Sequence, residues 1–302
     1  MNVLSRDKQI EILAALTEGM SMRATVRLTG VDRKTIARLA LRVGRGCAEL
    51  HDRTMVGIRT GRLELDELWS FVGKKQKRAA SHETTKGDQY TFIALASSSR
   101  AIVGYLTGKR SSENTDQFVQ DLRQRIIGAP EISTDGFLPY KNAIRDAFVG
   151  KAAHGIINKT YSVTHLAVNE ASRRYSPAAV VAVSREVASG TPIDISTSYA
   201  ERQNLTLRMQ CRRFTRLTNG FSKKLDQHLA AVALHVAHYN LCRVHESIRT
   251  TPAVALGVAE RAWTLGDLLD AATATLPIEP PAPTPTERRR AFRVIPGGKP
   301  LT

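Results

Sequence analysis

The sequence predicts an α/β fold, a mixed sheet flanked by helices, preceded by a small all-α unit. Three observations carry this prediction. Residues 5–50 place apolar side chains at helical spacing around a tight break. Residues 60 to about 255 interleave short apolar strands with helical stretches, as a layered α/β domain requires. Two of those strands are joined only by Ser97-Ser98-Ser99-Arg100, which is hairpin length, so the sheet is mixed rather than all parallel.

The elements follow in order. Ile10, Leu13 and Ala14 are spaced for one buried helical face, Ser21 is placed to cap a second helix, and Thr29-Gly30-Val31-Asp32 breaks it. Val26, Val31, Ile36 and Leu39 surround Gly30 with helix-turn-helix spacing, and Gly30 supplies the positive φ of the turn. The helix that starts near Asp32 then exposes Arg33, Lys34, Thr35 and Arg38, groups suited to phosphates and base edges in a major groove. An ordinary helical bundle with a basic outer face is the other reading of the same pattern. Strands are predicted at Leu63 to Val72, Tyr90 to Ala96, Ala101 to Leu106 and Glu131 to Thr134, and helices at Glu113 to Ile127 and Pro139 to Phe148. Residues 158–195 carry little pattern and read as a possible insertion. Between Pro277 and Pro285 five of nine residues are proline, which predicts an extended tail ending in the basic Arg288-Arg289-Arg290. The domain boundaries expected are 1–55, 60–256 and 257–302, the last holding a C-terminal helix and the Pro/Arg-rich tail.

Composition narrows the function. The 302 residues include 44 Lys+Arg against 28 Asp+Glu, a formal charge of +16, and 42% are hydrophobic, enough for a core. The excess is concentrated: residues 1–61 hold eleven Lys+Arg against six Asp+Glu, and residues 201–249 nine against three. Leu229 to Leu241 is interrupted by His235 and His238, so no membrane span is expected, and Arg6, Asp7 and Lys8 ahead of Ile10 do not read as a signal peptide. Cys47, Cys211 and Cys242 are too scattered for a disulfide framework or zinc ribbon, which points to a reducing, cytoplasmic setting. A basic chain without a membrane signal indicates nucleic acid as its partner.

Against that charge, a few acids stand out. Glu64, Asp66 and Glu67 sit in the middle of an apolar strand, where a carboxylate is costly unless it is hydrogen-bonded or holds a cation. Asp135 ends a short strand and precedes Gly136; it projects where α/β sheets bind ligands, although Asp-Gly is also a simple turn. Glu201 has a bland reading, as part of a Ser198-x-x-Glu201 capping box. Glu201, Asn204, Arg208 and Arg212 also recur on one helical face, a carboxylate followed by an amide and two guanidinium groups that could track a phosphate backbone. Glu170, Glu186 and Asp194 compete with Glu201 for the third position. Converging carboxylates suit Mg²⁺ or Mn²⁺, and a pair of such ions can activate an attacking oxygen and stabilise a leaving one at phosphorus.

Asp66-Glu-Leu-Trp-Ser-Phe-Val-Gly-Lys-Lys, Ser133-Thr-Asp-Gly-Phe-Leu-Pro-Tyr140 and Ser198-Tyr-Ala-Glu-Arg-Gln-Asn-Leu-Thr-Leu-Arg208 resemble, in this order, the three blocks of IS1-type insertion-sequence transposases. The resemblance implies a ribonuclease H-like DDE core. Asp66 and Asp135 would be paired metal ligands, Glu201 the third, and Arg208 a contact to the transposon end. It further implies double-stranded DNA as partner, both element ends and target, homo-oligomeric synaptic assembly, and a prokaryotic cytosol or nucleoid. Tyr239 to Pro252 resembles the structural tail of many integrase-like cores. The cysteine zinc motif that family members often carry is missing, which leaves end recognition to the helix-turn-helix alone. The function expected is thus two-metal DNA cleavage and 3′-OH strand transfer. A DNA-binding regulator with an inactive core and a structure-selective nuclease of the same fold are the alternatives. His228, His235, His238 and His245 lack cysteine or carboxylate partners at ligand spacing and read as packed or surface residues, and Cys211 and Cys242 as small hydrophobes.

Overall fold

The computed structural model describes residues 3–161, 180–215 and 218–274. The proline-rich stretch, Arg288 to Arg290 and Glu170 lie outside the described residues.

Three helices open the chain: α1 (Arg6–Thr17), α2 (Met22–Thr29) and α3 (Arg33–Thr54). Ser5, Ser21 and Asp32 cap them, their side-chain oxygens accepting from the backbone N–H groups of Lys8, Ala24 and Lys34. Gly30 ends α2 in the left-handed region, at φ 71°. A Cβ there would meet nothing within 4 Å, so the backbone conformation rather than space calls for glycine. The buried face of α1 is Ile12, Leu13 and Ala15, with Ile10 and Ala14 half-buried, which rotates the predicted stripe.

The sheet follows, with β1 (Arg62–Val72), β2 (Gly87–Ala96), β3 (Ile102–Gly108), α4 (Ser112–Arg125), β4 (Glu131–Asp135), α5 (Pro139–Ala147), β5 (Ala153–Tyr161) and β6 (Val180–Ser189). The last helices are α6 (Ser198–Gln210), α7 (Leu225–Leu241), the single turn α8 (Pro252–Ala255) and α9 (Leu265–Ala274). The strand order is β3-β2-β1-β4-β5-β6. β1–β2, β2–β3 and β5–β6 are antiparallel, whereas β1–β4 and β4–β5 are parallel. This mixed sheet flanked by helices is compatible with the ribonuclease H-like core implied by the sequence blocks. Arg100 takes a positive φ of 62° in the predicted hairpin turn. The unplaced 158–195 stretch contributes the end of β5 and all of β6, a strand exposed along most of its length.

Alternation along β1 divides its side chains between two cores. Leu63 and Leu65 join Phe92, Phe118, Tyr140 and Ile144 on the α4/α5 face, in a cluster that continues through Leu39, Val43, Cys47 and Leu50 of α3. Leu68 joins Ile93, Ile102, Leu207, Val232 and Val236 beneath α6 and α7. α3 lies close on α7 and α9: a Cβ on Gly44 would fall 2.3 Å from the Ala230 carbonyl oxygen, and one on Gly46 would fall 1.7 Å from that of Ala272. Arg125 ties α4 to α3, its guanidinium donating to Asp121 at 2.7 Å and to Asp52 at 2.6 Å. No helix among the described residues is long and apolar enough to cross a membrane.

Candidate metal centre

β1 and β4 pair only from Arg62↔Glu131 to Glu64↔Ser133 and then part. Asp66 and Glu67 lie just past the last pair on β1, and Asp135 is the final residue of β4. The sheet continues to β2 on one side of this fork and to β5 on the other, the kind of switch point where α/β sheets bind ligands. Consecutive residues of a strand face opposite ways, so Asp66 turns toward α6 and Glu67 toward α5, and both reach Asp135 because no ladder fills the gap. One carboxylate oxygen from each of the three lies within 4.8 Å of the others.

Each acid is held. Asp66 accepts the Asn204 amide at 2.7 Å and the Glu67 backbone N–H at 2.9 Å. Burial, reinforced by the neighbouring charges of Glu67 and Asp135, pushes its carboxyl up to about 7. Glu67, with its side chain only 3% exposed, is paired with Arg110 and accepts the Tyr140 hydroxyl at 3.2 Å. Asp135 accepts the Phe137 N–H at 3.0 Å, a turn made by the Asp-Gly step, and has Arg110 Nη2 at 3.6 Å. Burial raises the carboxyls of both Glu67 and Asp135.

Glu201 lines the same cavity, together with Asn204 and Arg208, but lies outside the tight group of three. It is paired with Lys159 of β5 and accepts the Thr197 hydroxyl at 2.7 Å. The residue that caps α6 is Thr197 rather than Ser198, and its side chain makes no capping bond, which replaces the predicted capping box. That work falls to Glu64, fully buried on β1, whose Oε2 accepts the N–H groups of Tyr199 at 2.8 Å and Ala200 at 3.1 Å. The expected basic face shortens as well: α6 ends at Gln210, and Arg212 falls in the following 3₁₀ turn, off the cavity.

The competitors are engaged elsewhere: Asp194 pairs with Arg62, and Glu186 with Lys141 at 3.2 Å. Arg33, Lys34 and Arg38 are exposed on the first turns of α3 with Thr35 half-buried, and none of the four lines the cavity. His228 is buried between Ser222 and Ser70, at 2.8 and 3.2 Å, and His235 against Gln203 at 3.3 Å. Asn240 accepts the Ile102 N–H at 3.0 Å and donates to the Ile102 carbonyl at 2.8 Å, closing the edge of β3 as a strand would. Sequence reasoning singled out Glu67 without assigning it to the site, and it assigned no role to Arg110, Lys159 or Tyr140.

The donors at the fork are all hard oxygens, the set that Mg²⁺ and Mn²⁺ favour. Beside Asp66, the Asn204 Oδ1 is buried without a hydrogen-bond partner, a further oxygen suited to a cation. No family model and no curated protein matches the chain. Among solved structures, a cryo-EM structure of a piggyBac transposase synaptic complex with hairpin DNA is similar at 12% identity and a TM-score of 0.38, over 98% of this chain and 77% of that one. At that level neither fold nor activity transfers.

Proposed function

We propose that the protein is a DNA transposase that uses one carboxylate site for cleavage at element ends and for strand transfer. The observation that carries this reading is the meeting of Asp66 and Asp135 with Glu67 at the β1/β4 fork, with Glu201 on the wall of the same cavity. Asp66, Asp135 and Glu201 are the proposed ligands and Glu67 supports them. Divalent ions bound there, Mg²⁺ or Mn²⁺ and two in number, would supply Lewis-acid activation of the attacking oxygen and charge stabilisation of the leaving one.

The chain's own residues do the rest. The Asn204 amide fixes the orientation of Asp66, and Thr197 that of Glu201. Arg208, on the cavity wall, and Arg212, just beyond it, face the phosphate backbone of the end. Water attacks phosphorus and frees a 3′-OH, and that hydroxyl then attacks a target phosphodiester. Residues 1–55 form the end-binding helix-turn-helix unit, reading duplex DNA through Arg33, Lys34, Thr35 and Arg38. Residues 60–256 form the catalytic core, and the chain self-associates to pair two ends. The three ordered sequence blocks support an IS1-type relationship.

The test is a strand-transfer assay with Mg²⁺ on candidate ends taken from the DNA flanking the coding sequence, where transposition requires inverted repeats, comparing wild type with Asp66→Asn and Glu201→Gln. Joined product in the wild type and none in either variant is expected. Joining that persists in a variant removes that residue from the site. Cleavage without joining in the wild type makes the protein a nuclease, and binding without cleavage a regulator.

A further inference from the structure

The geometry points to Arg110 as a built-in counter-ion of the acid cluster: its guanidinium holds Glu67 and Asp135 in the metal-free chain, yields to an entering divalent cation, and then meets a substrate phosphate. This rests on the metal-site reading above. Arg110 lies between the end of β3 and the start of α4, and its guanidinium bridges two strands, with Nε on Glu67 of β1 and Nη2 3.6 Å from Asp135 of β4. A cation in that position opposes a second cation on the same oxygens.

The two partners differ in freedom. The Glu67 side chain is 3% exposed and tethered by Tyr140, whereas that of Arg110 is 37% exposed and reaches in from the solvent side. Of the pair, Arg110 is the one that can move. Its guanidinium also lies 4.0 Å from the centroid of the Phe137 ring, a contact independent of the acids that keeps the group at the cavity mouth after it leaves them. A phosphodiester presents a fork of two oxygens much as a carboxylate does, so a guanidinium matched to Glu67 suits a phosphate equally well. Lys159 repeats the arrangement across the cavity on Glu201.

The opposing possibility is that Arg110 is a fixed strut that preorganises the acids for metal. The two predict opposite changes in affinity. Mn²⁺ binding to the full chain without DNA is measured by electron paramagnetic resonance at about pH 8. Wild type is compared with Asp66→Asn, Arg110→Gln and Arg110→Lys, and melting curves verify folding. Asp66→Asn loses binding at least about tenfold, which locates the ion. Arg110→Gln binds Mn²⁺ about five- to tenfold more tightly than wild type. Arg110→Lys, which keeps the charge and loses the fork, falls between them and replaces Arg110→Gln as the test should that variant not fold. Unchanged or weaker binding by Arg110→Gln, with Asp66→Asn still impaired, overturns the role of Arg110 alone. Binding that is indifferent to Asp66→Asn overturns the metal site, and the role of Arg110 with it.

Discussion

The Ala200 backbone N–H donates to the Glu64 carboxylate at 3.1 Å across 136 residues of sequence. A fully buried acid on the central strand thus serves as the N-terminal cap of α6, with its carboxyl at the positive end of the helix dipole. Glu201 is the next residue after Ala200 and Asp66 lies two residues beyond Glu64, so this contact sets how α6 stands against the acid cluster.

Glu64→Ala leaves two N–H groups without an acceptor and a void in the core, and stability falls by about 3 kcal/mol in equilibrium urea unfolding. Glu64→Gln keeps one acceptor oxygen and loses less than half of that. Equal losses in the two variants would refute the capping role.

Asp66→Asn is predicted to stabilise the metal-free protein while abolishing activity. The Asp66 carboxyl is raised to about 7, mainly by burial, so folding disfavours its charged form, and the cost appears as pH rises from the unfolded value toward 7. Above that range the variant melts higher, by an amount corresponding to at most about 4 kcal/mol, and near pH 4 the two coincide. Adding Mn²⁺ reverses the order, because only the wild type is stabilised by binding. A variant that melts lower than wild type at every pH excludes this account.

The buried histidines give the opposite slope. Burial lowers His51, His228 and His235 to about 3 each. Below about 6.5 the unfolded chain takes protons that the folded one refuses, so stability is complete above that pH and declines toward 3. His235→Leu flattens the profile between pH 6 and 4 by about 1.4 kcal/mol per unit, read from the slope rather than the absolute stability. An unchanged slope would mean that His235 is protonated in the fold.

Gly46→Ala drives a methyl group into the Ala272 backbone, a contact that no rotamer change relieves. Differential scanning calorimetry is expected to show a loss of about 3 kcal/mol. A melt within a degree of wild type would show that α9 is free to move away.

Much of the site was legible because physical cost marks it. Acids inside an apolar strand must have a reason to be there, and Asp66 carried that signal in its immediate neighbours, whereas Asp135 stood at a strand end where an Asp-Gly turn read equally well. Glu67 carried it too, but strand alternation assigns it to the face opposite Asp66, and only the early parting of β1 and β4 lets both serve one point. Arg110 and Lys159 had no such mark, since a cation in a basic chain is unremarked until the fold sets it on an acid. Secondary structure was legible where one face is buried. β6 escaped because Val180, Val181, Val183 and Val187 are all exposed, so no alternation records a buried side. Arg212 was misplaced because helical spacing was extended one turn past the end of α6.

The close seating of Gly44 and Gly46 on α7 and α9 means that the middle of α3 cannot shift on those helices without breaking backbone contacts. Arg33 and Lys34 stand at one end of that helix, and its other end is tied by Arg125 to α4. If the first turn of α3 grips a duplex, the acid cluster can reach only phosphates at one set separation along the same molecule or its pair. Inserting or deleting half a helical turn of DNA between the recognised bases and the scissile bond would then place the phosphate on the wrong side of the duplex, and the chain could not bend to follow it.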